Sequence, residues 1–180
     1  QAERLLAGAM RMLGTYSKGA HEELLQFASG LQKMTTYGDE AIIKGMSLLS
    51  TLGKLSGEGL KKATVAAIGL AEYTGRDLRT AFDLVAKAAS GYTSTLSRYL
   101  GSAVADAKTD QEKYNIALGI GLKSFSMAVE RAKTATGQID QMNNAMGDTK
   151  EILGEGIAKG LLGVVKATIP AKKGLGEFNE

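Results

Sequence analysis

Cysteine and tryptophan are absent from this 180-residue chain, and proline and histidine occur once each, at Pro170 and His21. Without cysteine there is no disulfide framework, no thiolate metal site and no thiol redox chemistry. A lone histidine, with no HExxH or Cys/His spacing around it, does not make a set of metal ligands. Aromatic residues are only 6% of the chain, so any core must be built from Leu, Ile, Val, Met and Ala. No run of about 18 uncharged apolar residues occurs, which excludes a conventional spanning helix. The net charge is +3, with the two signs interleaved. A nucleic-acid footprint needs Lys and Arg gathered on one face, so no sequence-specific nucleic-acid binding is expected. The chain opens on Gln1 with no charged-then-apolar leader, which predicts a processed product or a piece of a longer protein.

Helical patterning is what remains. Apolar residues are 44% of the chain and charged residues 23%, a balance that favours folding over disorder. There are 23 glycines, and each glycine inside a helix costs about 1 kcal/mol relative to alanine. Short helices with many ends, or backbones packed close together, are therefore predicted. Apolar residues recur at helical spacing from end to end, with no period-two alternation. Leu5, Leu6, Ala9, Met10 and Leu13 predict a first short helix ending near Gly14. Leu24, Phe27, Ala28, Leu31 and Met34 predict a second, starting near His21. Asp39 is placed to cap a third, with Ile42, Ile43, Met46, Leu49 and Leu52 as its stripe. Ser56 and Asp77 are placed to cap the next two, which end near Gly75 and Gly91, and Thr93 or Thr95 to begin a short one through Leu100. None of these is long enough to be stable alone in water, so they must pack on one another.

The texture changes after Gly101. From about Asp110 to Asn143 a long helix, interrupted or not, is predicted. One lane of it reads Ala128, Ala132, Ala135, Ile139, Met142, Met146, Thr149, Leu153, in steps of three and four. Such a heptad-like seam of small residues suits close helix approach, lengthwise against a partner or against the chain's own domain, and Ala128, Ala132, Ala135, Ile139, Met142, Met146 and Leu153 are candidates for self-association. Further on, Ile157, Leu161, Val164 and Val165 fall on one side of a helical wheel, with Lys159 and Lys166 on the other. These six are candidates for membrane contact, with lysines toward headgroups and the apolar side in the lipid boundary. An ordinary helix covering a core accounts for the same stripe. The expected fold is thus all-α: a compact bundle of short helices, then one or two long helices and an amphipathic C-terminal helix. Its expected divisions are a leading helix over 1–19, a helical module over 20–101, a long arm over 102–153, and a basic helix and tail over 154–180.

Reactive constellations are hard to find. His21 sits at a predicted helix start beside Glu22 and Glu23, where a solvated helix-end residue suffices as explanation. Acids such as Glu22, Glu23, Asp39 and Glu40 are expected in first turns because they complement the helix dipole. "GTYSKG" and "GKLSGEG" are glycine-rich, but neither matches GxxxxGK[ST] and no strand precedes them. No catalytic residue, metal site or cofactor is expected, and the chain is not expected to be an enzyme.

Three stretches share an order and spacing with a known family: "FASGLQKMTTYGDEAI" from Phe27, "SLLSTLG" from Ser47, and "TGRDLRTAFDLVAKAASGYTSTLSRYL" from Thr74. With their Leu-Gln-Lys followed by Gly-Asp-Glu-Ala, Gly-x-Asp-Leu and Gly-x-Thr-x-x-Leu-Ser-Arg-Tyr, they resemble the N-terminal-side helical region of phage and prophage tail length tape measure proteins. The resemblance covers Phe27–Leu100. It departs where Leu100 stands in place of the glycine expected directly after Tyr99, and residues 1–20 carry little of it. It implies a structural component of a virion tail that lies in the tail lumen and sets its length. It further implies homo-oligomers, contacts with tail-tube and tail-tip or baseplate proteins, and help in delivering the genome across the host envelope. The alternative is a membrane-active or pore-forming helical toxin-like domain, in which the basic C-terminal segment acts.

Overall fold

The structure, a computed structural model, describes residues 1–134 and 136–145. All regular structure among them is helical: α1 (Ala2–Met12), α2 (Lys18–Met34), α3 (Asp39–Thr51), α4 (Gly57–Thr74), α5 (Leu78–Ala89), α6 (Leu96–Leu100), a 3-10 turn over Gly101–Val104, and α7 (Asp110–Ala132). A further helical stretch covers 136–145.

Local chemistry sets most of the ends. Ser17 begins α2, its hydroxyl accepting the Ala20 amide at 3.0 Å, so α2 starts a turn earlier than the spacing around His21 predicts. Asp77 caps α5 as expected, accepting the Thr80 amide at 2.9 Å and its hydroxyl at 2.6 Å. Gly38, not Asp39, is the cap of α3; the Asp39 amide donates to Gln32 Oε1 on α2. Ser56 stands at the start of α4 but makes no side-chain cap bond. At its other end α4 stops at Gly75, where φ is +63°. That conformation suits glycine, and it lets the Arg76 amide return to the Ala71 carbonyl at 3.1 Å. A two-way cap lies before α7. The Thr109 hydroxyl accepts the Glu112 amide, and the Glu112 carboxylate accepts the Thr109 amide, a reciprocal capping box.

Residues 1–142 form one compact unit. Leu6, Ile42, Met46, Leu49, Leu60, Ile68, Leu70, Phe82, Val85, Leu96 and Val104 are completely enclosed. Burying a large apolar side chain contributes about 1.5–3 kcal/mol, enough for marginal helices to hold one another. The boundaries expected at residues 19 and 101 are not those of this unit. Ala2, Leu6 and Met10 place α1 in the common core, and Ala117, Leu118 and Ala128 place α7 there. The leading helix and the first part of the expected arm are thus integral, because the apolar faces of α3 and α4 need them as cover. Leu5, counted with the α1 stripe by its spacing, is instead half exposed.

Glycine allows the closest contacts. A Cβ on Gly69 of α4 would lie 1.9 Å from the Gly121 carbonyl oxygen of α7, and one on Gly121 would lie 2.2 Å from the Ala66 carbonyl oxygen. The two backbones therefore touch. Contacts advance together along both helices, from Ala66 with Gly121 to Gly69 with Phe125 and Glu72 with Arg131, so α4 and α7 run in the same direction. A second co-directional pair is α3 with α5. There Gly45 admits the Phe82 ring, which an added Cβ would meet at 2.2 Å, and further along Gly53 faces Ala86 and Ala89. Ser90 closes this pair by donating its hydroxyl to the Leu52 carbonyl.

Candidate interaction surfaces

The small-residue lane splits in two. Ala128 and Ala132 are buried, at 1% and 5% exposure, within the same unit as α4. They are interior residues of one chain and are not open to a second. Helix α7 ends at Ala132, and Thr134 starts the next stretch, donating to the Arg131 carbonyl at 2.7 Å and accepting the Gly137 amide at 3.1 Å. Gly137 then backs onto the end of α7, where a Cβ would come within 2.2 Å of the Arg131 carbonyl oxygen. Beyond that turn the lane faces outward: Ile139 is 55% exposed and Met142 57%. Ala135, Met146 and Leu153 lie outside the described residues, as do Ile157, Lys159, Leu161, Val164, Val165 and Lys166. Among the described residues no helix is long and apolar enough to cross a membrane.

A polar junction that sequence reading missed joins the ends of three helices. Tyr37, in the loop after α2, donates its hydroxyl to Glu72 Oε1 of α4 at 2.7 Å. Arg131 of α7 reaches the same oxygen at 3.0 Å. Burial, and then the bond to Glu72, push the Tyr37 phenol well above its usual range. Nearby, the Gln141 side-chain amide donates to the Thr35 carbonyl at 3.0 Å and the Lys33 carbonyl at 3.2 Å. Glu72, with its side chain 11% exposed, is thus held by a phenol and a guanidinium. The junction fixes the register of α2, α4 and α7. Nothing in the spacing of Tyr37, Glu72 and Arg131 announces it, since each belongs to a different helix end.

His21 lies at the opposite end of α2. Its Nε2 is 3.2 Å from the Glu3 carbonyl of α1, and its ring sits 5.9 Å from that of Tyr16, over which Arg11 stacks at 4.2 Å. These contacts tie α2 to α1, while His21 stays partly exposed in the first turn of α2, the helix-start setting that the sequence predicts. Among the described residues no group of three His, Asp or Glu side chains converges to hold a metal ion. Lys61 of α4 binds Glu23 of α2 and Glu58 of its own first turn. No protein-family model, curated protein or solved structure matches this chain.

Proposed function

We propose that this chain is part of a tail length tape measure protein, a structural component that lies in the lumen of a virion tail and contributes to its length. The reading rests on the resemblance over Phe27–Leu100. What supports it is the work done by the residues that carry that resemblance. Tyr37 ties α2 to α4 through Glu72, Gly38 opens α3, Asp77 caps α5, and Thr93 donates to Asp110 at the start of α7. Each joins or starts a helix. A helix advances about 1.5 Å per residue, so helical length is a means of encoding distance.

In this reading the compact bundle leads into long helices and an amphipathic C-terminal helix. Ile139 and Met142 belong to a self-association surface, and tail-tube and tail-tip or baseplate proteins are the other partners. Residues Ile157–Lys166 would meet the host membrane as the genome is delivered. The test is mass spectrometry of purified, DNA-filled particles, with chemical cross-linking before digestion. Peptides of this chain are expected in intact tails, cross-linked to the tail-tube subunit. Their absence from intact tails would defeat the reading.

A further inference from the structure

The co-directional pair α3 and α5 leaves a groove of about 380 Å³ between its two helices, within the range that holds small organic ligands. Its base is apolar. Leu78 and the Phe82 ring, which occupies the space that Gly45 leaves, are almost wholly buried. Nearer solvent, Leu48 is half-buried and Ala41 exposed.

Two cations stand on the walls, Lys44 on α3 and Arg79 on α5, both exposed. They differ in what they already hold. Lys44 Nζ is 3.0 Å from Glu40 Oε1, one turn earlier on the same helix. The Arg79 guanidinium has no ion pair or hydrogen bond among the described residues. The acids beside it on α5 are engaged elsewhere, Asp83 with Lys87 at 2.6 Å and Asp77 with Thr80. An apolar base thus lies next to one uncommitted positive charge.

We propose that this groove binds a small monocarboxylate with an aliphatic or aromatic body. The body would lie against Ala41, Leu48 and the methylene stems of Lys44 and Arg79, since long cationic side chains offer apolar stems below a charged head. The carboxylate would accept two parallel bonds from the Arg79 guanidinium, a geometry that these two planar groups share. One negative charge matches the one cation left unpaired. A cationic head would meet Arg79 and Lys44 with no free acid between them. A protein partner is disfavoured by the surroundings. None of the large apolar side chains that the described residues expose belongs to α3 or α5, whereas a stable protein interface buries about 800 Å² on each side.

The test is a set of amide chemical-shift titrations of the whole chain with hexanoate, 1-hexanol, hexylammonium and acetate, at constant ionic strength. Hexanoate is expected to give saturable shifts confined to residues 41–48 and 78–82. It should bind at least about threefold more tightly than hexanol, the worth of an exposed ion pair, and more tightly than hexylammonium or acetate. Arg79→Gln, at an exposed position, should bring hexanoate down to the affinity of hexanol and leave hexanol unchanged. Ala41→Leu, which fills the groove from its open side, should block hexanoate in a chain that keeps its dispersed spectrum. Hexanol or hexylammonium binding as tightly as hexanoate would overturn the proposal. Acetate binding equally well would do so too, because it would reduce the site to a bare surface charge. Unchanged hexanoate affinity in either variant, or the absence of saturable shifts in the groove, rejects it as well.

Discussion

Asp77 shows how much one side chain decides at the start of a helix. It accepts both the amide and the hydroxyl of Thr80, and these bonds, the hydroxyl first, hold its carboxyl below the usual range. A carboxylate with a depressed folded pKa stabilises the fold above its unfolded pKa, and that contribution is lost as pH falls through the folded value. Thermal unfolding of the wild type should therefore move to lower temperature as pH drops through the acidic range. Asp77→Asn should start lower at neutral pH and lose less on acidification. Parallel melting curves for the two proteins from neutral pH downward would contradict the assignment. Asp77 was legible in the sequence because a cap acts on its own next turn. Tyr37 was not, because its partner Glu72 is reached only after the chain has folded back, and no local pattern records that.

Among elements, the pairing of α4 with α7 governs the unit. Its determinants are Gly69 and Gly121, where the backbones touch. Gly121→Ala must push two main chains apart and should cost roughly 2–3 kcal/mol, as overpacking does. Gly119, two positions away on the same helix, has nothing within 4 Å of an added Cβ. There alanine should instead raise stability by up to about 1 kcal/mol, because it removes a helix-interior glycine. Denaturant titration of the two variants checks the pair, and equal effects would refute the backbone contact. The glycine count predicted short helices with many ends or close backbone approach, but not which glycines serve which purpose. Composition counts residues, and only a partner helix distinguishes Gly121 from Gly119. The small-residue lane is divided for the same reason. Its pattern suits a partner or the chain's own domain alike, and it is α4, far away in sequence but part of the same core, that leaves Ala128 and Ala132 buried within one chain.

At the scale of the molecule, the all-helical character followed from the period of the apolar residues, and most helix ends lie close to where turn and cap residues predicted them. The grouping of the helices did not follow. Periodicity says which face of a helix is apolar, not which helix covers it, so residues 20–101 read as self-sufficient although α3 and α4 depend on α1 and α7. A fragment spanning 20–101 should accordingly fail to unfold cooperatively, while one spanning 1–142 should show a sigmoidal transition and dispersed amide resonances. A cooperative transition in the shorter fragment would restore the boundaries first expected.

The co-directional run of α4 and α7 also bears on how the chain is made. Two neighbours pointing the same way cannot be joined by a tight turn, and here α5 and α6 lie between them, so α4 leaves the ribosome well before the helix that covers it. Until that helix emerges the nascent chain carries Ala66 and Gly69 uncovered. Contacts between residues so far apart in sequence form late and slowly, and apolar surface left open meanwhile invites wrong partners.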